Sequence, residues 1–125
     1  MPPVRVVLVE DNEVFRDALE LLLGLREDVE IVASVGDGAA AVSAAKEYRP
    51  DVMLMDYRMP ALDGIQATAQ VVAEVPDVAV VALTASADAA EREALVQAGA
   101  VACLMKDQEL EEIVAAILQA AAVTD

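Results

Sequence analysis

Five polar side chains that can do chemistry lie directly after apolar segments of this 125-residue chain. Glu10 and Asp11 follow RVVLV, Asp56 follows DVMLM, Thr84 follows VAVVAL and Lys106 follows VACLM. An apolar run of this length, ended by one polar residue, is typical of a buried parallel strand. Open α/β sheets place their ligand sites at the carboxyl ends of the strands. We therefore expect these side chains to meet at one edge of a sheet.

The three carboxylates would repel one another at such an edge unless a cation neutralised them. Mg²⁺ suits a site that offers few carboxylates, several waters and a phosphate still to arrive. Glu10, Asp11 and Asp56 are therefore predicted to be ligands of Mg²⁺. Asn12 favours the turn that brings both members of the acidic pair to one site, because asparagine is a preferred helix N-cap. The alternative is that one member of the pair only caps the first helix.

The remaining groups indicate phosphoryl chemistry. Asp56 is either a metal ligand or a nucleophile toward phosphorus, which would form an aspartyl phosphate. Lys106, one of two lysines in the chain, is predicted to pair with Asp56 at rest and with a phosphoryl oxygen after transfer. The alternative for Lys106 is a solvated position on a loop. Thr84 offers a hydroxyl donor, although threonine is common in strands and is weak evidence alone.

Segments that resemble buried strands alternate with segments that have the 3.6-residue period of helices. The predicted strands are Val4–Val9, Val29–Val35, Asp51–Met55, Val78–Leu83 and Val101–Met105. The predicted helices are Asn12–Leu25 with Phe15, Ala18, Leu19 and Leu22 on one face, Ala39–Arg49, Ile65–Glu74, Asp88–Ala98, and a last helix with Leu110, Ile113, Val114 and Ile117 on one side. Five such units in succession predict an α/β fold, a doubly wound parallel sheet with helices on both faces.

The length, charge and residue content of the chain limit the classes of function it can have. The length fits a single domain, and a net charge of −15 should repel nucleic acid and anionic membranes. No apolar stretch approaches the length that spans a bilayer, and Cys103 as the only cysteine fits a reducing cytoplasm. The chain contains no histidine, so any histidine chemistry must come from a partner.

These residues, in this order, resemble the response-regulator receiver domain of two-component signalling, the CheY-like fold. VLVEDN is similar to the acidic pair of that family, LMDYRMPALDG to its phosphoacceptor loop, ALTA to its hydroxyl strand and LMKD to its lysine. The resemblance covers essentially the whole chain. It implies one flavodoxin-like (βα)5 domain over residues 1–125, with the strand order 2-1-3-4-5.

The resemblance further implies that Asp56 receives a phosphoryl group from the phosphohistidine of a sensor histidine kinase. The implied Mg²⁺ ligands are Glu10, Asp11, Asp56 and the backbone carbonyl of Arg58. Mg²⁺ and Lys106 would neutralise charge on the transferring group. Thr84 would then bond a phosphoryl oxygen and switch a surface formed by the fourth helix, fifth strand and fifth helix. The domain would act in cytoplasmic signalling and not as an enzyme.

Two positions depart from the family pattern. Cys103 stands three residues before Lys106, where the family usually has a ring that turns inward on activation, so the switch should be read out differently or weakly. A structural buried cysteine is expected there rather than a redox group. Asp107 follows Lys106 where many members have proline, and this Lys-Asp pair is similar to the NarL/LuxR-type subgroup. The helix-turn-helix output domain of that subgroup, which would control transcription, is expected to be absent from this chain.

Other functions stay open on the sequence alone. A stand-alone or phosphorylation-independent scaffold receiver is favoured by the absence of an aromatic ring at Cys103. A haloacid-dehalogenase-like phosphatase also uses a strand-end aspartate, Mg²⁺ and lysine, but it has a second aspartate where this chain has Arg58. Small residues on the last helix predict either a close-packed homodimer or simply a stable helix. These residues are Ala115, Ala116, Ala120 and Ala121.

Overall fold

The computed structural model describes residues 2–57, 63–85 and 88–123. Strands and helices alternate along these ranges. The strands are β1 Val4–Val9, β2 Val29–Val35, β3 Val52–Asp56, β4 Ala79–Thr84 and β5 Ala102–Met105. The helices are α1 Glu13–Gly24, α2 Gly38–Tyr48, α3 Gly64–Glu74, α4 Ala89–Ala98 and α5 Leu110–Val123. The predicted alternation is confirmed, and the element ends differ from the predicted ones by about one residue.

The five strands form one parallel sheet in the order β2-β1-β3-β4-β5. Asp56 lies opposite Leu83 in the β3–β4 pair, and Thr84 lies opposite Met105 in the β4–β5 pair. The carboxyl ends of neighbouring strands are therefore level at one edge of the sheet. The predicted doubly wound α/β fold, with this strand order, is confirmed.

Two apolar layers cover the faces of the sheet. On one face, α2, α3 and α4 pack against strand side chains such as Val7 and Met53. On the other face, α1 and α5 pack against strand side chains such as Val6 and Leu54. Successive residues of a strand point to opposite faces. Because both faces are covered, the central strands are apolar almost throughout.

Acidic and amide side chains define the starts of four helices. The residues before α1, α2, α3 and α4 each accept a hydrogen bond from a backbone amide of the first turn; they are Asn12, Asp37, Asp63 and Asp88. At the other end of α4, Gly99 has a φ of 120°, a conformation that favours glycine. Part of the high acidic content of the chain is thus used for capping.

The predicted apolar face of α1 is confirmed, since all four of its residues line one groove, but only part of this face is buried. Leu19 and Leu23 are buried and Phe15 packs with them, which forms an i, i+4, i+8 row toward the sheet. Leu22 is 42% exposed, and Ala18 is exposed as well. Both line a groove between α1 and α5. The reason is that α1 meets the sheet along one narrow row of side chains, so that the neighbouring row faces the groove.

The predicted apolar side of α5 is confirmed by three buried residues and one half-buried residue, which are Ile113, Val114, Ile117 and Leu110. Ala120 of the same helix is buried in the core of the chain itself, whereas Ala115 is exposed. Part of the alanine surface is therefore used within the domain, and the homodimer stays a prediction. Across the described ranges, no helix combines the length and the apolar character that crossing a membrane requires.

Candidate functional site

The turn between β1 and α1 carries the acidic pair. The Glu10 amide donates to the Val35 carbonyl at 3.0 Å, which keeps Glu10 in line with the sheet. Oε2 of Glu10 accepts the Asn12 amide at 3.0 Å, and the Asn12 side chain in turn accepts the Phe15 amide. The predicted N-cap at Asn12 is confirmed, and Asp11 is exposed beside it.

β3 and β4 deliver Asp56 and Thr84 as their last residues, each only 2% exposed. The chain turns tightly after Asp56. The Gly64 amide donates to the Tyr57 carbonyl at 2.8 Å, and a Cβ on Gly64 would lie 2.7 Å from Tyr57 Cα and against the Asp56 carbonyl. Only glycine fits this close approach. In the sequence, Gly64 is the last residue of the LMDYRMPALDG segment, and that segment alone does not predict this contact.

Lys106 joins the same edge from the end of β5. Its amide donates to the Thr84 carbonyl at 2.8 Å. Its Nζ lies 2.7 Å from Glu10 Oε1 and 3.1 Å from Asp56 Oδ1. The Phe15 ring also contacts this ammonium, with 5.1 Å between Nζ and the ring centroid. The expected contact with Asp56 is present. Glu10 and Phe15 are further partners of Lys106 that the sequence analysis missed. For Phe15, the available signal was its position in the first helical turn after the acidic pair.

The three carboxylates converge on one point. One oxygen each from Glu10, Asp11 and Asp56 lie within 4.8 Å of one another, a spacing that suits a single hard cation. Glu10 has no exposure to solvent, while Asp11 is exposed and keeps one side open to water. Oδ2 of Asp56 is buried and has no hydrogen-bond partner among the described residues. The hard oxygen donors, the open side and the unpartnered oxygen fit a Mg²⁺ ion.

The charges at this edge are not balanced. Burial, together with the neighbouring carboxylates of Glu10 and Asp11, raises the pKa of Asp56 to about 7, and the Lys106 ammonium offsets this only in part. Burial alone would lower the pKa of Lys106, but its hydrogen bond to Glu10 and the charge of Asp56 outweigh burial and raise it. One ammonium faces three carboxylates, so the cluster favours a further cation.

A cleft of about 290 Å³ opens over these groups. Its lining residues are Asp11, Asn12, Asp56, Tyr57, Thr84, Ala85 and Lys106. Glu10 is buried next to the cleft, in contact with Lys106. The five side chains that were predicted to meet at one edge of the sheet are thus brought together. The cleft combines carboxylates, a hydroxyl and an ammonium, the groups that phosphoryl transfer requires.

Two further residues singled out by the sequence are Arg58 and Cys103. Arg58, whose backbone carbonyl is a predicted Mg²⁺ ligand, lies outside the described residues. Cys103 is half-buried rather than fully buried, because β5 is an edge strand of the sheet. Its side chain packs against the core. Burial raises the pKa of the Cys103 thiol, and the nearby Arg92 opposes this effect only in part.

Comparison with known proteins identifies the class. Residues 6–118 match the family described as the response regulator receiver domain, and this chain belongs to that family. It is a receiver domain of two-component response regulators of the LuxR/NarL type, a signalling domain. The transcriptional regulatory protein LiaR of Bacillus subtilis is 37% identical over 114 residues, which cover 91% of this chain and 54% of that protein. The chain spans about half the length of the curated relatives it matches.

Solved structures show the same fold. The NarL signal receiver domain of Mycobacterium tuberculosis has a TM-score of 0.93 and 39% identity, and the match covers 98% of both chains. A LuxR-family two-component response regulator from Aurantimonas sp. SI85-9A1 has a TM-score of 0.91 and 26% identity, over 97% of this chain and 86% of that chain. The resemblance to receiver domains that the sequence motifs indicated is confirmed.

Proposed function

We propose that Asp56 of this chain accepts a phosphoryl group from the phosphohistidine of a sensor histidine kinase. Receiver domains of response regulators receive phosphoryl groups from such kinases. The observation that carries the proposal is the buried Oδ2 of Asp56, which has no partner among the described residues and stands beside two other carboxylates and Lys106. The chain has no histidine, in agreement with a donor that a partner supplies.

The transfer forms one bond and breaks another. A carboxylate oxygen of Asp56 bonds to phosphorus while the P–N bond of the phosphohistidine breaks. The electron pair of that bond stays on the imidazole, which takes up a proton from water. Lys106 Nζ, 3.1 Å from Asp56 Oδ1, is placed to pair with a phosphoryl oxygen. Mg²⁺ held by Glu10, Asp11, Asp56 and the Arg58 carbonyl would neutralise charge on the transferring group.

Thr84 links this chemistry to the rest of the domain. After transfer, its hydroxyl would bond a phosphoryl oxygen and bias the surface formed by α4, β5 and α5. The Lys106 amide donates to the Thr84 carbonyl at 2.8 Å. Because of this hydrogen bond, a shift at the end of β4 would also move the connection from β5 to α5.

Phosphorylation by a small donor tests the proposal. Wild-type protein incubated with Mg²⁺ and acetyl phosphate, or with phosphoramidate as a P–N donor, should gain the mass of one phosphoryl group, and Asp56→Asn should gain none. Asp37→Asn is the matched control, because it removes a strand-end carboxylate but leaves a residue that caps α2 equally well. An unmodified wild type with both donors would overturn the proposal.

Mg²⁺ binding is tested by thermal unfolding. An ion that binds only the folded state should raise stability by about 2.7 kcal/mol at a concentration one hundred times its Kd. Asp11→Asn should lose most of this gain while it keeps the fold, because Asp11 is exposed. Asp37→Asn serves again as the control. Equal stabilisation of wild type and Asp11→Asn would remove Asp11 from the ligand set.

A phosphorylation-independent scaffold is the second candidate, favoured by Cys103 in place of an aromatic ring. Beryllofluoride with Mg²⁺ mimics a phosphorylated aspartate. Amide resonances near Asp56 and Thr84 should shift if the domain switches, and unchanged resonances would favour the scaffold. A haloacid-dehalogenase-like phosphatase is less favoured, because Arg58 stands at the position of its second aspartate. Steady multiple turnover of a phosphate ester would revive that alternative.

The role of the whole protein is inferred from its relatives. LiaR is a transcriptional regulatory protein, of which this chain covers 54%, so we expect an output part that controls transcription in the cytoplasm. The receiver itself carries a net charge of −15, and we do not expect it to bind nucleic acid. Its expected partners are the kinase and, through α5, a second copy of the chain.

A further inference from the structure

Arg16 of α1 reaches back to the turn that carries the acidic pair. Its Nη1 donates to the backbone carbonyl of Glu10, six residues earlier, at 2.9 Å. This carbonyl belongs to the peptide that joins Glu10 to Asp11. The hydrogen bond therefore fixes the orientation of the one peptide on which the relative direction of these two carboxylates depends.

Gly36 makes the space that the Arg16 guanidinium occupies. A Cβ at Gly36 would lie 2.7 Å from Arg16 Nη1 and 3.9 Å from the Glu10 carbonyl oxygen. Among the described glycines, the one with a positive φ is Gly99, so the backbone conformation does not require glycine at position 36. A methyl group at position 36 would therefore have to displace the Arg16 guanidinium.

The charge of Arg16 is not paired with the carboxylates of the site. Within the ranges that the structure describes, its ion pair is a 4.0 Å contact with Glu13, whose side chain is 82% exposed. A guanidinium near a carboxylate cluster ordinarily forms charge-assisted hydrogen bonds with it. Here the guanidinium binds a neutral peptide oxygen. Arg16 therefore orients the backbone of the site, while its positive charge repels a metal cation bound there.

We propose that Arg16 is a positioning residue for the cation site. It holds the Glu10–Asp11 peptide so that the carboxylates of both residues face the carboxylate of Asp56. Neighbouring residues of an extended strand point to opposite faces, so both reach one site only where the chain turns. Three hydrogen bonds hold this turn. The Glu10 amide donates to the Val35 carbonyl, the Asn12 amide donates to Glu10 Oε2, and the Arg16 guanidinium donates to the Glu10 carbonyl. The inference rests on the proposed Mg²⁺ site.

A role of Arg16 as a charge and a role as a positioning residue predict opposite changes in Mg²⁺ affinity when Arg16 is replaced. If the guanidinium acted only as a charge, Arg16→Met would remove a repulsive cation and strengthen Mg²⁺ binding. If Arg16 positions the turn, the same variant should weaken Mg²⁺ binding by about tenfold, as loss of a group that orients a metal ligand does. Gly36→Ala should weaken binding in the same direction, because the new methyl displaces Nη1 while the charge stays.

Mg²⁺ titrations of ¹⁵N-labelled protein, followed through amide resonances, give the affinity of each variant. Arg16→Met and Gly36→Ala should each bind about tenfold more weakly than wild type, and the double variant should bind no more weakly than either, because both remove the same hydrogen bond. Arg5→Met is the matched control. Its Nη1 also donates to a backbone carbonyl, that of Arg49 at 3.1 Å, but Arg5 lies at the opposite edge of the sheet, so Mg²⁺ affinity should not change.

Unchanged or tighter Mg²⁺ binding by Arg16→Met would overturn the positioning role even where wild type binds Mg²⁺. A wild type that binds no Mg²⁺ would overturn the proposed site instead. In that case the Asp11 and Asn12 amide resonances of metal-free protein still test the turn, since they should shift in Arg16→Met and Gly36→Ala but not in Arg5→Met. If Mg²⁺ affinity fell only in variants that are unfolded without metal, Arg16 would be needed for stability and not for positioning, and the inference would be overturned.

Discussion

The ammonium of Lys106 lies 2.7 Å from Oε1 of Glu10, a carboxylate with no exposure to solvent. This pair joins the ends of β5 and β1, which are separated in the sheet by β4 and β3. The edge of the sheet is therefore held together by a charge contact that crosses three strand-to-strand boundaries, in addition to the backbone hydrogen bonds. In the metal-free protein this contact supplies the counter-charge for the carboxylates.

Lys106→Met should destabilise the metal-free protein by about 2 kcal/mol, because it leaves buried carboxylates without a partner; Lys106 is 22% exposed, so the loss is smaller than for a fully buried pair. Added Mg²⁺ should restore much of this loss. Urea unfolding with and without Mg²⁺ measures both effects. Lys46→Met is the control, since its 2.6 Å pair with Glu74 is exposed and should contribute at most about 1 kcal/mol. Equal losses in the two variants would contradict a special role for Lys106.

The raised pKa of Asp56 predicts how stability depends on pH. The folded protein keeps the Asp56 proton up to about pH 7, whereas the unfolded chain releases it near the ordinary pKa of 3.8. Between these values the folded state binds more protons, so the free energy of unfolding of the metal-free protein should fall as pH rises through this window. Each unit of such a shift corresponds to about 1.4 kcal/mol, which is an upper limit for a partly solvated group.

Asp56→Asn isolates this contribution, because asparagine resembles the protonated acid. The variant and the wild type should have similar stability near about pH 4, and the variant should be the more stable of the two near about pH 8. Urea unfolding of metal-free protein at a series of pH values gives the comparison. Parallel curves for the two proteins across this window would show that Asp56 ionises normally in the folded state.

Gly64→Ala should damage the end of β3. The new Cβ would lie 2.7 Å from Tyr57 Cα and against the Asp56 carbonyl, and overpacking of this kind costs about 1–3 kcal/mol. Gly24→Ala is the matched control, since a Cβ there meets no atom within 4 Å and should be neutral or stabilise by up to about 1 kcal/mol. Chemical denaturation followed by circular dichroism measures both. A similar loss in the two variants would show that the close approach at Gly64 is unimportant.

Local patterns were sufficient to predict the sheet and the five polar side chains that meet at one of its edges. A strand that is buried on both faces appears as an unbroken apolar run, and the polar residue that ends the run marks the sheet edge. For this reason Asp56 and Thr84 could be identified before their neighbours were known. The cap at Asn12 could be predicted because asparagine has a specific use at helix starts.

Contacts between distant segments could not be predicted in the same way. The spacing of Lys106 from the acidic residues does not say that Glu10 is its closer partner, because this depends on how far a long side chain reaches across the sheet. The rotation of α1, which buries Leu23 instead of Leu22, depends on where α5 packs. The contact between Arg16 and Gly36 joins α1 to the turn after β2. How closely these two segments approach is known only from the folded chain.

Tyr57 lines the cleft, whereas Tyr48 is the last residue of α2 and is partly exposed. A helix that connects two parallel strands returns along the sheet, so Tyr48 lies toward the opposite edge from Asp56. The chain has no tryptophan and no further tyrosine. Its tyrosine emission therefore comes from one ring beside Asp56 and one remote ring, so a change at the cleft can be followed without any attached dye.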